Sequence, residues 1–388
     1  MEGLGPGETE MTRAQTLVEV FTRCPMAPLL FSLLLYAAHP DAYAQVGGQH
    51  AISDVQGRVE VKRAGWDKFV PATVNMQVAN GDLFQLTKKA SAKVTCADLN
   101  AVHIQKSGER LHCDTAKLDF KFKGNGTRPP RAGDLVTEVP ILVSPRRTKI
   151  LDLHPTLRWA PVPGAATYTV KIKRGSDDIW SQEVKGATEL KYPAGAPALT
   201  PGTTYKVEII AGGRSSDDEG AVNAGFSVLS QDDARAVRAV EERIRAGKHS
   251  AVVTAFLVAN LYATWGVNPD DPRDERWALN AEAVELLEKE TASQTDAPSL
   301  RTLGHIYLTL GLSTLAEERY RRALQLSEAA DDVQGKALTH YAIARVFTVR
   351  FNRAEAKKWF LSARALFQSF GDADSVAKVD EELSKVEQ

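Results

Sequence analysis

The chain has no dominant charge. It carries 48 basic and 49 acidic residues, a formal net charge of -1 over 388 residues. Without an excess of lysine and arginine there is no broad positive field to draw it onto a phosphate backbone, which argues against nucleic acid as a partner. The sequence has no Gly-rich phosphate loop, no nucleophile elbow and no His-Glu-x-x-His helix, so the chemistry those motifs perform is not expected. His249, His305 and His340 fall on separate predicted helices. Asp177-Asp178, Asp217-Asp218 and Asp270-Asp271 fall in polar turns, where aspartate is favoured by local backbone hydrogen bonds. No catalytic, cofactor or metal site is therefore expected, and the protein is read as a non-enzyme. Long apolar runs are also missing. The one marked run is Met26 to Ala38, 13 residues without charge, too short to span a bilayer. Cysteine is scarce, with three residues: Cys24 near the N-terminus, and Cys96 and Cys113 as a pair further on.

Enough is present to build several cores. Hydrophobic residues make up 43% of the chain, and at roughly 150 residues per domain two or three domains are expected. The Met26–Ala38 run has the length of a secretion-signal core. Arg13 and Arg23 precede it, His39 and Pro40 follow it, and Ala42, Tyr43 and Ala44 supply a small-x-small cleavage pattern. A signal over 1–44, with a mature chain from near Gln45, is the expectation, and the alternative is an uncleaved membrane anchor. Residues 1–10 hold three glutamates and no base, so Met11 suits a signal better as the start. A lipoprotein cysteine should follow the apolar run, and Cys24 precedes it. The remainder is expected to be exported, in the periplasm or outside the cell.

From Ala51 to Cys113 apolar and polar residues alternate with period two between turn residues, the pattern of short strands. Gly57, Val59, Val61, Trp66, Gly81, Asp82 and Phe84 stand where the FecR-type β domain of the bacterial envelope has its Gly-x-Val-x-Val strand, aromatic turn and Gly-Asp step. The stretch 49–123 resembles that family, and the resemblance implies a sensing or docking module. Cys96 and Cys113 flank its last hairpin. In an oxidising compartment a disulfide closing a loop of about 18 residues is the economical assignment, contributing ~3 kcal/mol. The alternative joins them with His103 and His112 as a zinc site, a spacing that matches no common zinc module.

Residues 124–139 are rich in glycine, proline and polar residues, and are read as a linker that includes the sequon Asn125-Gly126-Thr127. Residues 140–229 then give about seven short strands with turns every 8 to 12 residues or so, the pattern of a β-sandwich. Here the resemblance is to fibronectin type III domains. Trp159 takes the buried strand-B place and Tyr168 the strand-C aromatic place. Leu199, Pro201, Gly202 and Tyr205 match the step into the tyrosine corner, whose hydroxyl would satisfy a nearby backbone group.

After Ser230 glycine and proline thin out, and apolar residues recur at helical spacing. Asp232, Asp233 and Gly247 bracket a first helix. The strongest signal follows. Leu300, Leu303, Gly304 and Tyr307 are answered by Ala316, Tyr320 and Ala323, and Ile343, Ala344 and Phe347 by Ala356, Phe360 and Ala363. Gly304 to Ala316 and Ala344 to Ala356 have the same spacing. This resembles the tetratricopeptide repeat, in which small residues let paired helices approach and aromatics fill the gaps. The period is 40 residues, longer than the usual ~34, and the extra length is expected in a loop at Ala329–Gly335. The family's proline is absent, with Glu328 and Gln368 in its place. A degenerate unit with Ala259, Tyr262, Ala283 and Leu287 precedes, and the array is expected over 231–388. The fold class is thus multidomain, two all-β units followed by an all-α repeat array.

By helical spacing, the concave face would carry Arg301, His305 and Leu308 from one repeat and Tyr341, Arg345 and Val349 from the next. Two arginines and a histidine in one groove would suit an acidic peptide or a C-terminal carboxylate. The expectation is an envelope adaptor that binds a protein or peptide there. The alternatives are an envelope signal-sensing protein and a cell-wall or glycan-binding module.

Overall fold

Alternating burial builds the first strands: Val59 and Val61 point into a core while Glu60 and Lys62 lie between them, half-exposed. The structure, a computed structural model, describes residues 50–114, 138–219, 225–264, 278–293 and 296–387. The expected signal and cleavage site, most of the linker with its sequon, and Asp270-Asp271 lie outside the described residues. Strands β1 (His50–Gln56), β2 (Val59–Lys62), β3 (Val70–Pro71), β4 (Gln77–Val78), β5 (Leu83–Leu86), β6 (Ser91–Thr95), β7 (Ala101–Ile104) and β8 (Glu109–Arg110) form two antiparallel sheets. Their orders are β4-β1-β6-β7 and β3-β2-β5-β8. Register pairs Val61 with Phe84 and Ile52 with Val94, and all four side chains are buried.

The second β unit holds β9 (Leu142–Ser144), β10 (Thr148–Ile150), β11 (Thr156–Trp159), β12 (Thr167–Arg174), β13 (Asp177–Lys185), β14 (Glu189–Lys191), β15 (Thr204–Ala211), β16 (Arg214–Ser215) and β17 (Phe226–Val228). One sheet runs β14-β11-β9, and the other β10-β17-β15-β12-β13 with β16 on β15. Leu157, Trp159, Tyr168, Ile172, Tyr205 and Phe226 share one apolar cluster between them. The aromatics act as expected of core and corner residues. Trp159 lies 5.4 Å from Tyr168, and the Tyr205 hydroxyl accepts the Thr200 N–H at 2.9 Å.

Eight helices follow among the described residues: α1 (Gln231–Ala246), α2 (Ala251–Thr264), α3 (Asn280–Ser293), α4 (Ala297–Thr309), α5 (Ser313–Ala329), α6 (Val333–Val349), α7 (Arg353–Phe370) and α8 (Ala373–Glu387). The loop expected at Ala329–Gly335 is corrected here. Asp332 accepts the Gly335 N–H at 2.8 Å, and Gln334, Gly335 and Ala337 are buried, so the chain enters α6 after a three-residue turn. The extra length lies in the helices, α5 and α6 having 17 residues each. Left-handed residues at Gly311, Asp331, Phe351 and Gly371 end α4 to α7. Each is followed by the residue before the next helix, and at Asp332, Asn352 and Asp372 that side chain accepts a backbone N–H three residues on.

The markers of the earlier unit, Ala259, Tyr262, Ala283 and Leu287, are buried too. The described residues all belong to one compact unit. Among the described residues no helix is long and apolar enough to cross a membrane.

Candidate partner-binding face of the helical array

The face expected to be an open groove is largely covered by the chain itself. Leu308 is 2% exposed and Tyr341 7% exposed. Leu308 belongs to an apolar cluster that also contains Ala51, Ile141 and Ala160 of the β units. Tyr341 belongs to another, which joins Ile52, Val61, Trp66 and Phe84 of the first β unit to Ala344, Phe360 and Phe370 of the helices. Its ring also meets Phe360 edge-on at 5.6 Å. These two residues are core, because helical spacing identifies the inner face of a repeat but not what rests on it. This corrects their reading as open groove residues.

The other four expected groove residues are half-buried. Arg301 Nη1 lies 3.5 Å from Ser327 Oγ, a long contact at the joint between α4 and the end of α5. His305 and Arg345 sit close enough to interact electrostatically. Although His305 keeps some accessible surface, its Nδ1 is shielded from water. Burial first, and the Arg345 charge second, hold its imidazole neutral, pushing its pKa down to about 3. Val349 packs, half-buried, against the cluster that contains Leu308. The structure thus keeps three of the expected polar groups, Arg301, His305 and Arg345, on consecutive first helices, but in a partly enclosed setting.

The joints that hold the β units against the helices include the following three. At the first, the β2–β3 hairpin tip meets the end of α7: the N–H groups of Asp67 and Lys68 donate to Phe370 O at 3.0 and 3.2 Å, and Lys68 Nζ donates to Ser369 O at 2.8 Å. Trp66 stands edge-on to Phe370 at 5.0 Å. At the second, buried Arg146 donates through Nε to Leu310 O at 2.9 Å, and its guanidinium forks onto both carboxylate oxygens of Glu219 at 2.7 and 2.9 Å. At the third, Thr148 Oγ1 accepts the Ala281 N–H at 3.1 Å, so a strand of the second β unit caps α3. Beside it Glu282 Oε1 accepts the Leu151 N–H, and burial raises the Glu282 carboxyl to about 7.

Ionisable residues also meet between the second β unit and α3. Arg158 of β11 reaches Glu288 of α3 at 2.6 Å, and Glu288 also accepts the Tyr307 hydroxyl. Burial, then the Glu288 charge, raises the Tyr307 phenol above its ordinary range. Sequence reasoning missed Arg146, Glu282, Glu288 and the Trp66–Lys68 tip, since nothing in a period-two or helical pattern says which surface faces another module.

Cys96 and Cys113 are joined as a disulfide, with Cα atoms 5.7 Å apart. The histidines of the zinc alternative, His103 and His112, are exposed. The histidine that does lie beside the sulfurs is buried His50: its ring nitrogen and the two Sγ atoms lie within 4.8 Å of one another, and its Nδ1 accepts the Ala97 N–H at 3.0 Å. A metal there would need the disulfide opened to free the thiolates it requires.

No protein-family model matches the chain, and no curated protein matches it. A solved structure described as that of MamA protein is similar to it at 20% identity and a TM-score of 0.27, over 40% of this chain and 79% of that one. That score lies below the range of a shared fold.

Proposed function

We propose that the protein is an exported, non-catalytic adaptor of the cell envelope, whose FecR-type and fibronectin type III-type β units brace a tetratricopeptide-type array that binds a protein partner. What supports this reading is the character of the array's inner face, where Tyr341 of α6 is already packed against a protein element, the core of the first β unit. The polar groups nearest that face, Arg301, His305 and Arg345, suit an acidic segment or a C-terminal carboxylate. Glu282 and Tyr307, whose ionisation burial shifts, take their partners within the protein, the Leu151 N–H and Glu288, which fits a structural part for these two better than a catalytic one. The strand order β14-β11-β9 against β17-β15-β12-β13, with the Tyr205 corner, supports the fibronectin-type assignment of the second unit. The disulfide fits an oxidising compartment.

The experiment is affinity capture with cross-linking from the native envelope fraction, comparing wild type with an Arg301→Glu, Arg345→Glu double variant. Capture of one protein by wild type and its loss with the variant, at unchanged circular dichroism, is expected. Capture of purified wall material without any protein would replace the adaptor by a wall-binding module.

A further inference from the structure

Ala356, Phe360, Ala363, Phe367 and Phe370 form the buried side of α7, packed into the array. A helix with one packing face is polar on the other side. On α7, however, Ala354, Lys358, Leu361 and Ala365 are exposed, four, three and four residues apart, a stripe along one side of the helix. Phe351, in the turn that leads into α7, lies three residues ahead of it. Among the described residues the exposed large hydrophobic side chains are Leu153, Phe351 and Leu361, so two of them stand at this one helix. Phe351 is 67% exposed and Leu361 48%. The backbone of Phe351 is also unusual. Its φ is +58°, at the turn position that Gly311, Asp331 and Gly371 take after α4, α5 and α7. A bulky side chain is costly in that region, and glycine is not. An exposed aromatic held in such a conformation points to use by a ligand rather than to packing.

Charge beside the stripe is mostly of one sign. Arg353, Lys357 and Lys358 are exposed, and Glu355 is half-buried. Lys357 reaches Glu387 at 2.8 Å and Lys358 reaches Glu355 at 3.6 Å, exposed pairs that a partner's carboxylates can replace at little cost. An apolar seam at this spacing, with charge next to it, fits one helix laid along α7, and Ala354 and Ala365 let its backbone approach closely. A broad anionic surface fits less well. The pairs Arg364–Asp380 and Lys357–Glu387 place acids of α8 beside the stripe, and a membrane lying across α7 would meet them too.

We propose that the outer face of α7, from Phe351 to Ala365, is the docking surface for one amphipathic α-helix of a partner protein. The partner helix sets its apolar seam on Phe351 and Leu361 and its acidic residues beside Arg353, Lys357 and Lys358. This rests on the adaptor reading for there being a protein partner, and adds a contact outside the array to the one at Arg301, His305 and Arg345.

The test uses the full chain and two fluorescein-labelled synthetic helices, read by anisotropy. Both carry leucine at heptad positions a and d. One has glutamate at e and g, which keeps it from pairing with itself, and the other has lysine there. Wild type should bind the glutamate helix at least ~10-fold more tightly than the lysine helix. Leu361→Ser and Phe351→Gly should each weaken that binding at least ~10-fold, at an unchanged circular dichroism spectrum. Position 361 is exposed, and glycine already makes the same turn at 311 and 371, so both variants keep the fold. No binding by wild type, equal binding of the two helices, or binding that survives Leu361→Ser would overturn the proposal. Two further outcomes would overturn it by naming another occupant. One is a wild-type dimer in sedimentation equilibrium that Leu361→Ser dissociates, and the other is binding to anionic lipid vesicles that Phe351→Gly abolishes. Envelope capture separates this result from the adaptor reading. A partner captured equally by wild type, Leu361→Ser and Phe351→Gly leaves the adaptor standing and removes the α7 face. Helix binding with no captured partner does the reverse.

Discussion

Gly304 faces Tyr320 across the α4–α5 hairpin, and a Cβ there would fall 2.7 Å from the ring. Tyr320 is fully buried, so the ring has nowhere to move without disturbing its own neighbours. Gly304→Ala gains about 1 kcal/mol of helix propensity, yet overpacking should outweigh it, for a net loss of ~1–2 kcal/mol measured by urea unfolding. Two ionisable residues make a sharper case. His305 stays neutral in the folded chain down to about pH 3, while in the unfolded chain it takes up a proton near pH 6.5 or so. Acidification through that window therefore favours unfolding, by up to ~1.4 kcal/mol per pH unit. Glu282 has the opposite sign. Its folded carboxyl protonates at about 7, above its ordinary 4.5, so its contribution is full below the ordinary value and is lost as pH rises through 7. Where these two windows overlap, between the ordinary values of 4.5 for Glu282 and 6.5 for His305, the two slopes oppose each other. Glu282→Gln removes one of them, so relative to wild type the variant should lose stability on acidification from about pH 6.5 to 5, by ~1–2 kcal/mol. An unchanged pH profile would mean that Glu282 does not hold its proton through burial at the β10–α3 joint.

At the scale of elements, what was legible followed from period. The strands of both β units, α1 with its stop at Gly247, and the two helix pairs with Gly304–Ala316 and Ala344–Ala356 in register were all readable from the spacing of buried residues. The Tyr205 corner was readable because a buried hydroxyl needs a partner, and it found Thr200 N–H. The half-period was not. Left-handed residues recur at 311, 331, 351 and 371, but two are glycine, one aspartate and one phenylalanine, so no single residue type announces the turn. Asp332 and Asn352 were the available signal, each a helix cap three residues before the N–H it accepts. The candidate site was half legible. Arg301, His305 and Arg345 do share one side of the array, but Leu308 and Tyr341 looked like groove residues, because an apolar residue facing a partner and one facing another module have the same spacing. The Arg146 joint makes a prediction of its own. Arg146 is 3% exposed and holds both Glu219 and the last turn of α4. Arg146→Ala strands a partly buried carboxylate and a carbonyl, and should cost ~3–5 kcal/mol in urea unfolding. Arg146→Lys, with one ammonium in place of a fork, should recover only part of that.

Over the whole molecule, the question is whether the β units and the array unfold as parts or as one. The first β unit's core runs without interruption into α6, α7 and α8: Ile52, Val61 and Phe84 share a cluster with Ala344, Phe360 and Val379. The second unit is tied by Arg146, Thr148 and Glu288 to α4 and α3. Apolar burial of this kind couples the stabilities of the elements that share it, so loss in one is felt in the other. The disulfide Cys96–Cys113 joins two residues of the first β unit. Replacing both cysteines by serine frees a loop in the unfolded chain and should cost ~3 kcal/mol. Were the array an independent domain, its helices would melt as before while only the β unit's signal moved. With a shared core, the helical dichroism at 222 nm and the tryptophan fluorescence should shift together, by ~6–12 °C at ~2–4 °C per kcal/mol. The double variant therefore measures, from a covalent bond within the first β unit, how firmly the chain holds that unit against the face that a partner would use.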